Sequence, residues 1–256
     1  MNQVKNFRKM QCSACLNGEG FDYPFTMAFQ PIVDVKSRTV FAQEALVRGL
    51  GDLPARVVFE HVNDENRYAF DQACRVKAVK LASQLNISSL VSINFMPNAV
   101  YKPELCIRTT LEAAEQYNFP ADQIMFEVTE GEKVLDIDHL QNIFVDYNER
   151  GFITALDDFG AGYSGLNLLA GLDVKVLKLD MELISNIDTD KRKQAIVKGI
   201  VTTCGELGVK IIAEGVEKKN ELLTVIDIGI NLVQGYYLAR PSYESLAKID
   251  WEAALD

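Results

Sequence analysis

From Thr26 onward, apolar and polar positions follow two alternating periods along the chain. Short apolar runs of strand length are separated by longer segments whose apolar residues recur at helical spacing. Two strand-like runs open this pattern, Met27–Val35 and Thr39–Val47, and only a turn at residues 36–38 joins them. A link this short permits only an antiparallel hairpin, because a parallel crossover needs about a dozen residues or more. The first strand is therefore predicted to run against the second.

After the hairpin, predicted strands and helices alternate, which is typical of a parallel sheet. The predicted helices are Asn66–Leu85, Pro103–Tyr117, Ile137–Arg150, Asp190–Leu207 and Lys218–Ile226. The further predicted strands are Leu90–Asn94, Gln123–Val128, Phe152–Asp157, Val174–Leu179, Val209–Ala213 and Asn231–Val233. Eight strands in this order predict an α/β fold, a TIM-like (β/α)8 barrel with an antiparallel first strand. We expect residues 1–25 to form an irregular N-terminal arm and residues 26–256 to form one domain.

Six of the apolar runs lead into an acid, an amide or a lysine. They are Gln43–Leu46, Ser92–Asn94, Phe126–Glu130, Ala155–Gly160, Leu177–Asp180 and Ile212–Glu217. In a β/α barrel the carboxyl ends of the strands meet at one face, and that face carries the active site. Carboxylates, an amide and a lysine gathered there predict a site for a hard metal ion and metal-assisted chemistry on an oxyanion.

Strand parity turns several of these charged side chains toward the barrel interior. Phe126 and its alternate apolar neighbours suit packing against helices, so Glu127 points inward. The same alternation turns Lys178 and Asp180 inward, and it places Glu214 on the inner face of its strand. A buried acid or lysine is costly unless it is paired or bound to metal. Groups of opposite charge converging at one end of a barrel would compensate one another.

Composition limits the classes of ligand that the chain could bind and the cellular compartments in which it could work. The chain has 256 residues with a net charge of -10, and no basic stripe suggests binding to long nucleic acid. An acidic protein can still bind an anionic substrate where metal ions reverse the local field. No run approaches about 18 apolar residues, and the N-terminus lacks the apolar core of a secretory signal, so no membrane insertion is expected. Five scattered cysteines predict a cytoplasmic protein without a disulfide framework.

Seven motifs in the right order resemble the EAL-domain family of cyclic-di-GMP phosphodiesterases, over about residues 26 to 241. They are Glu44–Arg48, Asn94, Glu127–Glu130, Asp157–Ser164, Lys178–Asp180, Glu214–Glu217 and Gln234–Tyr236. Any one of them is weak evidence, since an isolated strand-end acid or lysine is most often solvated. The resemblance implies a barrel with an antiparallel first strand, as the short hairpin also indicates. It implies hydrolysis of cyclic-di-GMP to linear pGpG.

The resemblance also implies a site with two divalent cations. Glu44, Asn94, Glu127 and Asp157 would hold a first Mg²⁺ or Mn²⁺, and Asp157 with Asp158 would reach a second. Two such ions can clamp the attacking and departing oxygens of a phosphodiester. Ca²⁺ is expected to be inhibitory, because its looser coordination misplaces the attacking water.

Further residues receive catalytic and substrate-binding roles from the same resemblance. Lys178 would orient the attacking water and help to deprotonate it, with Asp180 beside it. Glu214 would act as a base or as an acid on the metal side. Arg48 suits a substrate phosphate, because a guanidinium fork matches phosphate oxygens. The other implied substrate-binding residues are Gln30, Glu217 and Gln234.

Glu130 lies three residues past Glu127 and is not expected to share its metal. In the family this second acid anchors the glycine-rich loop after the fifth strand, and the loop contributes to a dimer surface. We therefore expect a homodimer, in which Glu130 holds the loop at residues 158–166. The alternative is that Glu130 only caps the following helix. A separate regulatory partner is also compatible with the sequence.

Some positions depart from the family pattern or carry no role. Gly49 replaces a common aromatic residue, Ala161 takes the usual place of Thr, and Gly165 takes a common Ser place. These positions lie beside the predicted ligands, so they affect affinity and loop motion more than catalysis. Cys12 and Cys15 could form half of a zinc site or a redox pair, but the missing second half favours two free thiols.

Two rival functions remain open from sequence alone. One is a catalytically silent cyclic-di-GMP receptor, although such proteins usually lose ligands and none of the expected ones is missing here. The other is an enolase-like barrel, in which carboxylates hold Mg²⁺ and a lysine abstracts a carbon-bound proton. That class does not need the Asp157–Asp158 pair with its glycine loop.

Overall fold

Strands and helices alternate along the part of the chain that the computed structural model describes, residues 21–97, 100, 103–129, 137–162 and 165–255. The strands are β1 Phe25–Asp34, β2 Thr39–Gly49, β3 Leu90–Asn94, β4 Ile124–Thr129, β5 Ile153–Phe159, β6 Val176–Leu179, β7 Lys210–Ala213, β8 Leu232–Val233 and β9 Ser242–Tyr243. The helices are α1 Ala55–Phe59, α2 Arg67–Gln84, α3 Pro103–Cys106, α4 Arg108–Gln116, α5 Ile137–Glu149, α6 Gly165–Gly171, α7 Met181–Ile184, α8 Lys191–Leu207, α9 Lys219–Ile228 and α10 Trp251–Leu255.

Eight of these strands close into a barrel. Strands β2 to β8 pair in chain order and in parallel, and β1 closes the ring between β8 and β2, antiparallel to both. Strand β9 adds two residue pairs to β1 outside the ring. The predicted TIM-like barrel with an antiparallel first strand is confirmed, and the short turn between β1 and β2 is the physical reason for the reversal.

Two separate apolar layers hold the barrel together. Met125, Val176 and Ile212 belong to a small cluster inside the ring, together with Ile32, Ala42 and Ala155. Phe126 and Leu177 lie on the opposite strand faces, in the large cluster between the strands and the surrounding helices. The predicted alternation of inward and outward residues is therefore observed, and it fixes which side chains can reach the mouth of the barrel.

Several elements differ from the predicted ones. The helix predicted over Pro103–Tyr117 consists of two helices, α3 and α4, joined at Ile107. The short helices α1, α6, α7 and α10 were not predicted, because segments of seven residues or fewer hold too little periodicity to be recognised. Strand β5 runs to Phe159, two residues past the predicted end at Asp157.

The described chain begins with aromatic packing. The ring of buried Phe21 lies 4.8 Å from that of Phe70 and 5.8 Å from that of Phe25, measured between centroids. Apolar packing against α2 thus begins at Phe21, four residues before β1. Cys12 and Cys15 lie outside the described residues. Among the described helices, none combines the length and the apolarity needed to cross a bilayer.

Candidate active site

A single lysine lies among four carboxylates where the parallel strands end. Lys178 of β6 is 1% exposed, and its Nζ lies 2.8 Å from Glu127 Oε2 of β4 and 2.8 Å from Glu214 Oε1, just after β7. The same nitrogen lies 3.1 Å from Asp157 Oδ1 of β5 and 3.7 Å from Glu44 Oε2 of β2. Strand parity turns Glu127, Lys178 and Glu214 inward, and the structure brings Lys178 within ion-pair distance of all four acids.

Glu44 is held by two amides. Asn94 Nδ2 donates to Glu44 Oε1 at 3.1 Å, and Gln234 Nε2 donates to Glu44 Oε2 at 2.7 Å. Asn94 is exposed at the end of β3, whereas Glu44 and Gln234 are buried. With its nitrogen bonded to Glu44, the amide of Asn94 retains its oxygen as the atom that could bind a cation.

A bulge in β5 brings two adjacent acids to the same site. Leu156 pairs with Leu177 and Phe159 pairs with Leu179, so Asp157 and Asp158 together lie opposite Lys178 alone. Asp158 has φ of 54°, a left-handed conformation that few residues other than glycine, Asn and Asp tolerate. Its backbone N–H donates to Asp157 Oδ1 at 2.9 Å. The bulge ends strict alternation, and neighbouring carboxylates can then lie near a common point.

Burial and mutual repulsion change the protonation of this cluster. Burial raises the pKa of Glu127 to about 8, Lys178 opposes the rise, and Glu44 and Asp157 add to it. The pKa of Asp158 is raised to about 6, first by burial and then by Asp157. Burial also raises the pKa of Glu214 well above its ordinary range. The acids thus repel one another strongly, and added positive charge would relieve that repulsion.

The surrounding carboxylates hold Lys178 in its charged form. Burial alone would lower the pKa of Lys178, but the attraction of Asp157, Glu127, Glu214 and Glu44 outweighs it and raises the pKa well above the ordinary value. A lysine held as a cation can position groups and balance charge, but it accepts a proton poorly.

The donor set fits two hard cations. Ligand oxygens of Glu44, Glu127 and Asp157 lie within 4.8 Å of one another, and so do those of Asp157, Asp158 and Glu214. The two groups share Asp157. Among the described residues, buried Glu127 Oε1 has no hydrogen-bond partner, which leaves it free for a cation. Carboxylate and amide oxygens suit Mg²⁺ or Mn²⁺ better than zinc.

The cluster opens into a pocket of about 260 Å³. Gln30, Glu217 and Gln234, the predicted substrate-binding residues, line it together with Glu44, Asp158, Asp180, Met181, Glu214, Gly215, Gly235 and Tyr236. Gln30 Nε2 donates to Ala239 O at 3.2 Å, which fixes that amide at the wall. Gly235 is required for the wall itself, because a Cβ there would lie 2.0 Å from Val216 O.

Two predicted site residues take other positions. Asp180 lines the pocket, but its Oδ1 accepts from Glu182 N at 2.7 Å and so caps α7, and it makes no ion pair with Lys178 among the described residues. Arg48 lies outside this pocket. Its guanidinium donates to Val47 O at 2.8 Å and has Nε 3.7 Å from Asp52 Oδ1, beside a second cavity of about 510 Å³. Glu130 lies outside the described residues.

Sequence reasoning missed two features of this region. Tyr236 was quoted within a motif but received no role, although it lines the pocket, is 47% exposed and has the Arg240 guanidinium 4.2 Å from its ring centroid. The second cavity was also not predicted. It is lined mostly by apolar side chains, and its lining includes Asn94, whose amide donates to Glu44 of the first pocket. The aromatic residue Tyr236 beside Gly235 could have indicated a role at the pocket. No local sequence signal marks the second cavity.

The comparisons with known proteins agree with this geometry. The sequence model of the EAL domain matches residues 22–241. A standalone versatile EAL protein from Vibrio cholerae O395, solved in its c-di-GMP bound form, is 50% identical with a TM-score of 0.88, covering 92% of this chain and 99% of that one. BlrP1 from Klebsiella pneumoniae, solved as a manganese/cy-diGMP complex, is 33% identical with a TM-score of 0.84, covering 89% of this chain and 58% of that one.

A curated relative carries an enzymatic name. The cyclic di-GMP phosphodiesterase RocR from Pseudomonas aeruginosa is 30% identical over 241 residues, covering 89% of this chain and 59% of its own length. The chain spans less than two thirds of this relative and of two further curated relatives, of which it covers 56% and 28%. Because the EAL match extends over most of its length, this chain belongs to the EAL domain family.

Proposed function

We propose that this chain hydrolyses cyclic-di-GMP to linear 5′-pGpG with the help of Mg²⁺ or Mn²⁺. The observation that carries the proposal is the pair of carboxylate groups that share Asp157 beside buried Lys178. A silent receptor would not need both groups intact. The cyclic-di-GMP complexes of the Vibrio cholerae and Klebsiella pneumoniae relatives support the choice of ligand.

The proposed reaction needs bound cations, an attacking water and a proton for the leaving oxygen. Divalent cations would supply the positive charge that activates water and offsets the charge of the reacting phosphate. Glu44, Asn94, Glu127, Asp157 and Asp158 would hold these cations. In the reaction, the water oxygen forms a bond to one phosphorus, the bond from that phosphorus to the 3′ oxygen breaks, and the 3′ oxygen takes up a proton.

Proton transfer is better assigned to Glu214 than to Lys178. Burial raises the pKa of Glu214 well above its ordinary value, and a carboxylate with a raised pKa is a stronger base than an exposed one, so Glu214 in its ionised form would accept a proton from water. Lys178 is held as a cation at 2.8 Å from that oxygen, and it would orient the carboxylate and the water. This refines the sequence-based role of Lys178, which included proton removal.

The two cavities suit a substrate with two halves. The pocket of about 260 Å³ is lined by Glu44, Asp158 and Glu214. The cavity of about 510 Å³ is lined by Arg48 and by Asn94, and the amide of Asn94 donates to Glu44 of the smaller pocket. We propose that one guanine occupies the larger apolar cavity while a phosphate lies near Asn94. Arg48 would then contact the half of the nucleotide that lies in the larger cavity. Tyr236 would contact the half that lies in the smaller pocket.

Incubation with cyclic-di-GMP and either Mg²⁺ or Mn²⁺, followed by separation of the nucleotides, tests the proposal. Accumulation of pGpG, with little further cleavage to GMP, is expected. Binding without any pGpG would instead support the receptor interpretation. Absence of both would contradict every role proposed for the site.

Replacing the cation with Ca²⁺ is expected to preserve binding of cyclic-di-GMP while abolishing turnover. Ca²⁺ takes six to eight oxygen ligands at longer distances than Mg²⁺, so water and phosphate would be misplaced. A calcium/cy-diGMP complex of the BlrP1 relative supports the binding half of this prediction. Calorimetry in Ca²⁺ and a pGpG assay in the same buffer measure the two halves. Rapid pGpG formation in Ca²⁺ alone would contradict it.

We also propose that the chain forms a homodimer through α5 and α6. Ile137 and Val145 on α5 and Leu166 on α6 are 44%, 43% and 70% exposed, and Leu166 is the most exposed of the large apolar side chains that the structure describes. Contiguous exposed apolar side chains mark interaction surfaces. Leu166→Glu is expected to shift the chain to monomers in sedimentation, whereas Leu207→Glu, at 56% exposure on α8, should leave the dimer intact. Equal sedimentation of wild type and Leu166→Glu would contradict this surface.

Other expectations from the sequence stay predictions. Glu130→Ala should raise the metal concentration needed for activity if that residue anchors the loop after β5, and only lower the melting temperature if it caps a helix. Cys74 and Cys204 are buried free thiols, which agrees with a reducing, cytoplasmic setting. A regulatory partner stays a prediction as well.

A further inference from the structure

A fully buried ion pair lies behind the active site, on the outer side of the barrel. Asp71 and Arg75, one helical turn apart on α2, have side chains 1% and 0% exposed, with Arg75 Nη2 2.8 Å from Asp71 Oδ2. Arg75 Nη1 also donates to Tyr147 OH of α5 at 2.9 Å. None of these groups belongs to the proposed cation site.

Asp71 reaches the segment that follows Asn94. Its Oδ1 accepts from the backbone N–H of Met96 at 2.9 Å. The preceding residue, Phe95, donates its backbone N–H to Glu127 O at 3.0 Å. The two residues that follow the exposed amide of Asn94 are thus each fixed by one hydrogen bond. One of these bonds comes from β4, which carries Glu127, and the other comes from the buried carboxylate on α2.

Arg75 fixes the aromatic residues beside two proposed cation ligands. Its guanidinium carbon lies 5.4 Å from the ring centroid of Phe95 and 5.1 Å from that of Phe126. Phe95 directly follows Asn94, and Phe126 directly precedes Glu127. A planar cation between two rings orients both of them, since guanidinium groups stack on aromatic faces. The ends of β3 and β4 therefore share one rigid support.

Stability alone does not explain this arrangement. Burial raises the pKa of Asp71, with Arg75 opposing the rise, so the carboxylate is in an unfavourable environment. Among the described residues, Arg75 Nε has no hydrogen-bond partner. Buried ion pairs can often be replaced by well-packed apolar residues without loss of stability. A pair that is costly to bury and tied to a ligand-bearing segment is better explained by a positioning role.

We propose that the Asp71–Arg75 pair positions Asn94, and through Phe126 also Glu127, for cation binding. This inference rests on the proposed function, because it assumes that those residues hold a divalent cation. Asp71 and Arg75 are positioning residues, because neither is among the proposed cation ligands. Asp71 also lines the cavity of about 510 Å³, so cation binding is the property that isolates its positioning role. The contact between Asp71 Oδ1 and Met96 N–H is the critical one, because Asn94 is exposed and has little packing of its own to hold it.

Direct titration of the full chain with Mn²⁺, followed by electron paramagnetic resonance without nucleotide, tests this inference. Asp71→Leu combined with Arg75→Met removes the pair and keeps most of its volume. This variant should melt close to the wild type but bind Mn²⁺ about tenfold more weakly or worse, the range for lost outer-shell support. Asp71→Asn combined with Arg75→Gln keeps an acceptor for Met96 N–H and should bind Mn²⁺ within about threefold of the wild type.

Unchanged Mn²⁺ affinity in the folded Leu/Met variant would overturn the inference. If that variant does not fold, Arg75→Lys decides, because it keeps the charge but loses the planar group between the rings. It should weaken Mn²⁺ binding measurably, and an affinity equal to that of the wild type would overturn the inference. Tyr147→Phe is the control, since it removes the hydroxyl that accepts from Arg75 and keeps the ring that packs against Phe95 and Phe126. It should lower the melting temperature with little effect on Mn²⁺ binding. A wild type that binds no Mn²⁺ would contradict the proposed function itself.

Discussion

Asp157→Asn is expected to lower cyclic-di-GMP hydrolysis by about a thousandfold or more, because a lost metal ligand removes several kcal/mol of transition-state stabilisation. Asp157 is the one acid common to both carboxylate groups, so its loss affects both cations. Asparagine keeps the shape of the side chain and an oxygen for the N–H of Asp158, which preserves the bulge in β5. The rate of pGpG formation at saturating Mn²⁺ measures the effect.

The matched control is Asp173→Asn. Asp173 is an exposed acid that precedes β6, at the opposite end of that strand from Lys178. Its carboxylate pairs with Lys175 at 2.8 Å. That variant should retain full activity, because surface ion pairs contribute little. Activity of Asp157→Asn within about tenfold of the wild type would contradict a shared ligand at this position.

Lys178→Ala is expected to reduce turnover by about a hundredfold or more, in the range for misplaced reacting groups, while binding of cyclic-di-GMP stays measurable. The reason is the central place of Lys178 Nζ, within 3.1 Å of Glu127, Asp157 and Glu214. Without this ammonium the buried acids repel one another and their orientation is lost. We also expect a lower melting temperature, since removing one partner of a buried pair typically costs about 3–5 kcal/mol.

Lys175→Ala provides the comparison, because Lys175 begins the same strand region but is 49% exposed. Turnover and calorimetric binding in Ca²⁺ should be measured for both variants. If Lys178→Ala loses affinity but keeps its maximal rate, Lys178 is a phosphate contact, and its proposed role in the chemical step is wrong. A Glu214→Gln variant with near-normal turnover would likewise exclude Glu214 as proton acceptor.

The sequence predicted best what depends on strict alternation along a strand. Glu127 and Lys178 could be assigned to the barrel interior because their neighbours are apolar with a period of two. Their meeting at one point followed from the rule that parallel strands end at the same face. The antiparallel first strand followed from the length of one turn.

What the sequence could not predict depends on geometry between distant segments. The family resemblance named Asp158 as a ligand, but strand alternation could not place it. Asp158 reaches the site through a bulge and a left-handed backbone, and neither leaves a periodic signal. Arg48 shares the face of Glu44 but lies four residues further along β2, about 13 Å at the rise of an extended strand. Alternation gives the face of a residue and not its depth, so Arg48 was grouped with the pocket. The Asp71–Arg75 pair lies within α2, and nothing in the sequence of that helix indicates that the pair is buried.

The reversed first strand also decides how the barrel can be joined to other chains. Residues 25–30 of β1 pair with residues 44–49 of β2, the part of that strand that begins at Glu44. The polypeptide therefore enters β1 at the catalytic end, whereas an all-parallel barrel would receive it at the opposite end. A partner domain that continued the chain directly from Phe21 would therefore join the barrel on the side of the strand-end carboxylates. Activity should accordingly be measured on protein from which any amino-terminal tag has been cleaved, because a group joined on that side could obstruct the proposed substrate pocket.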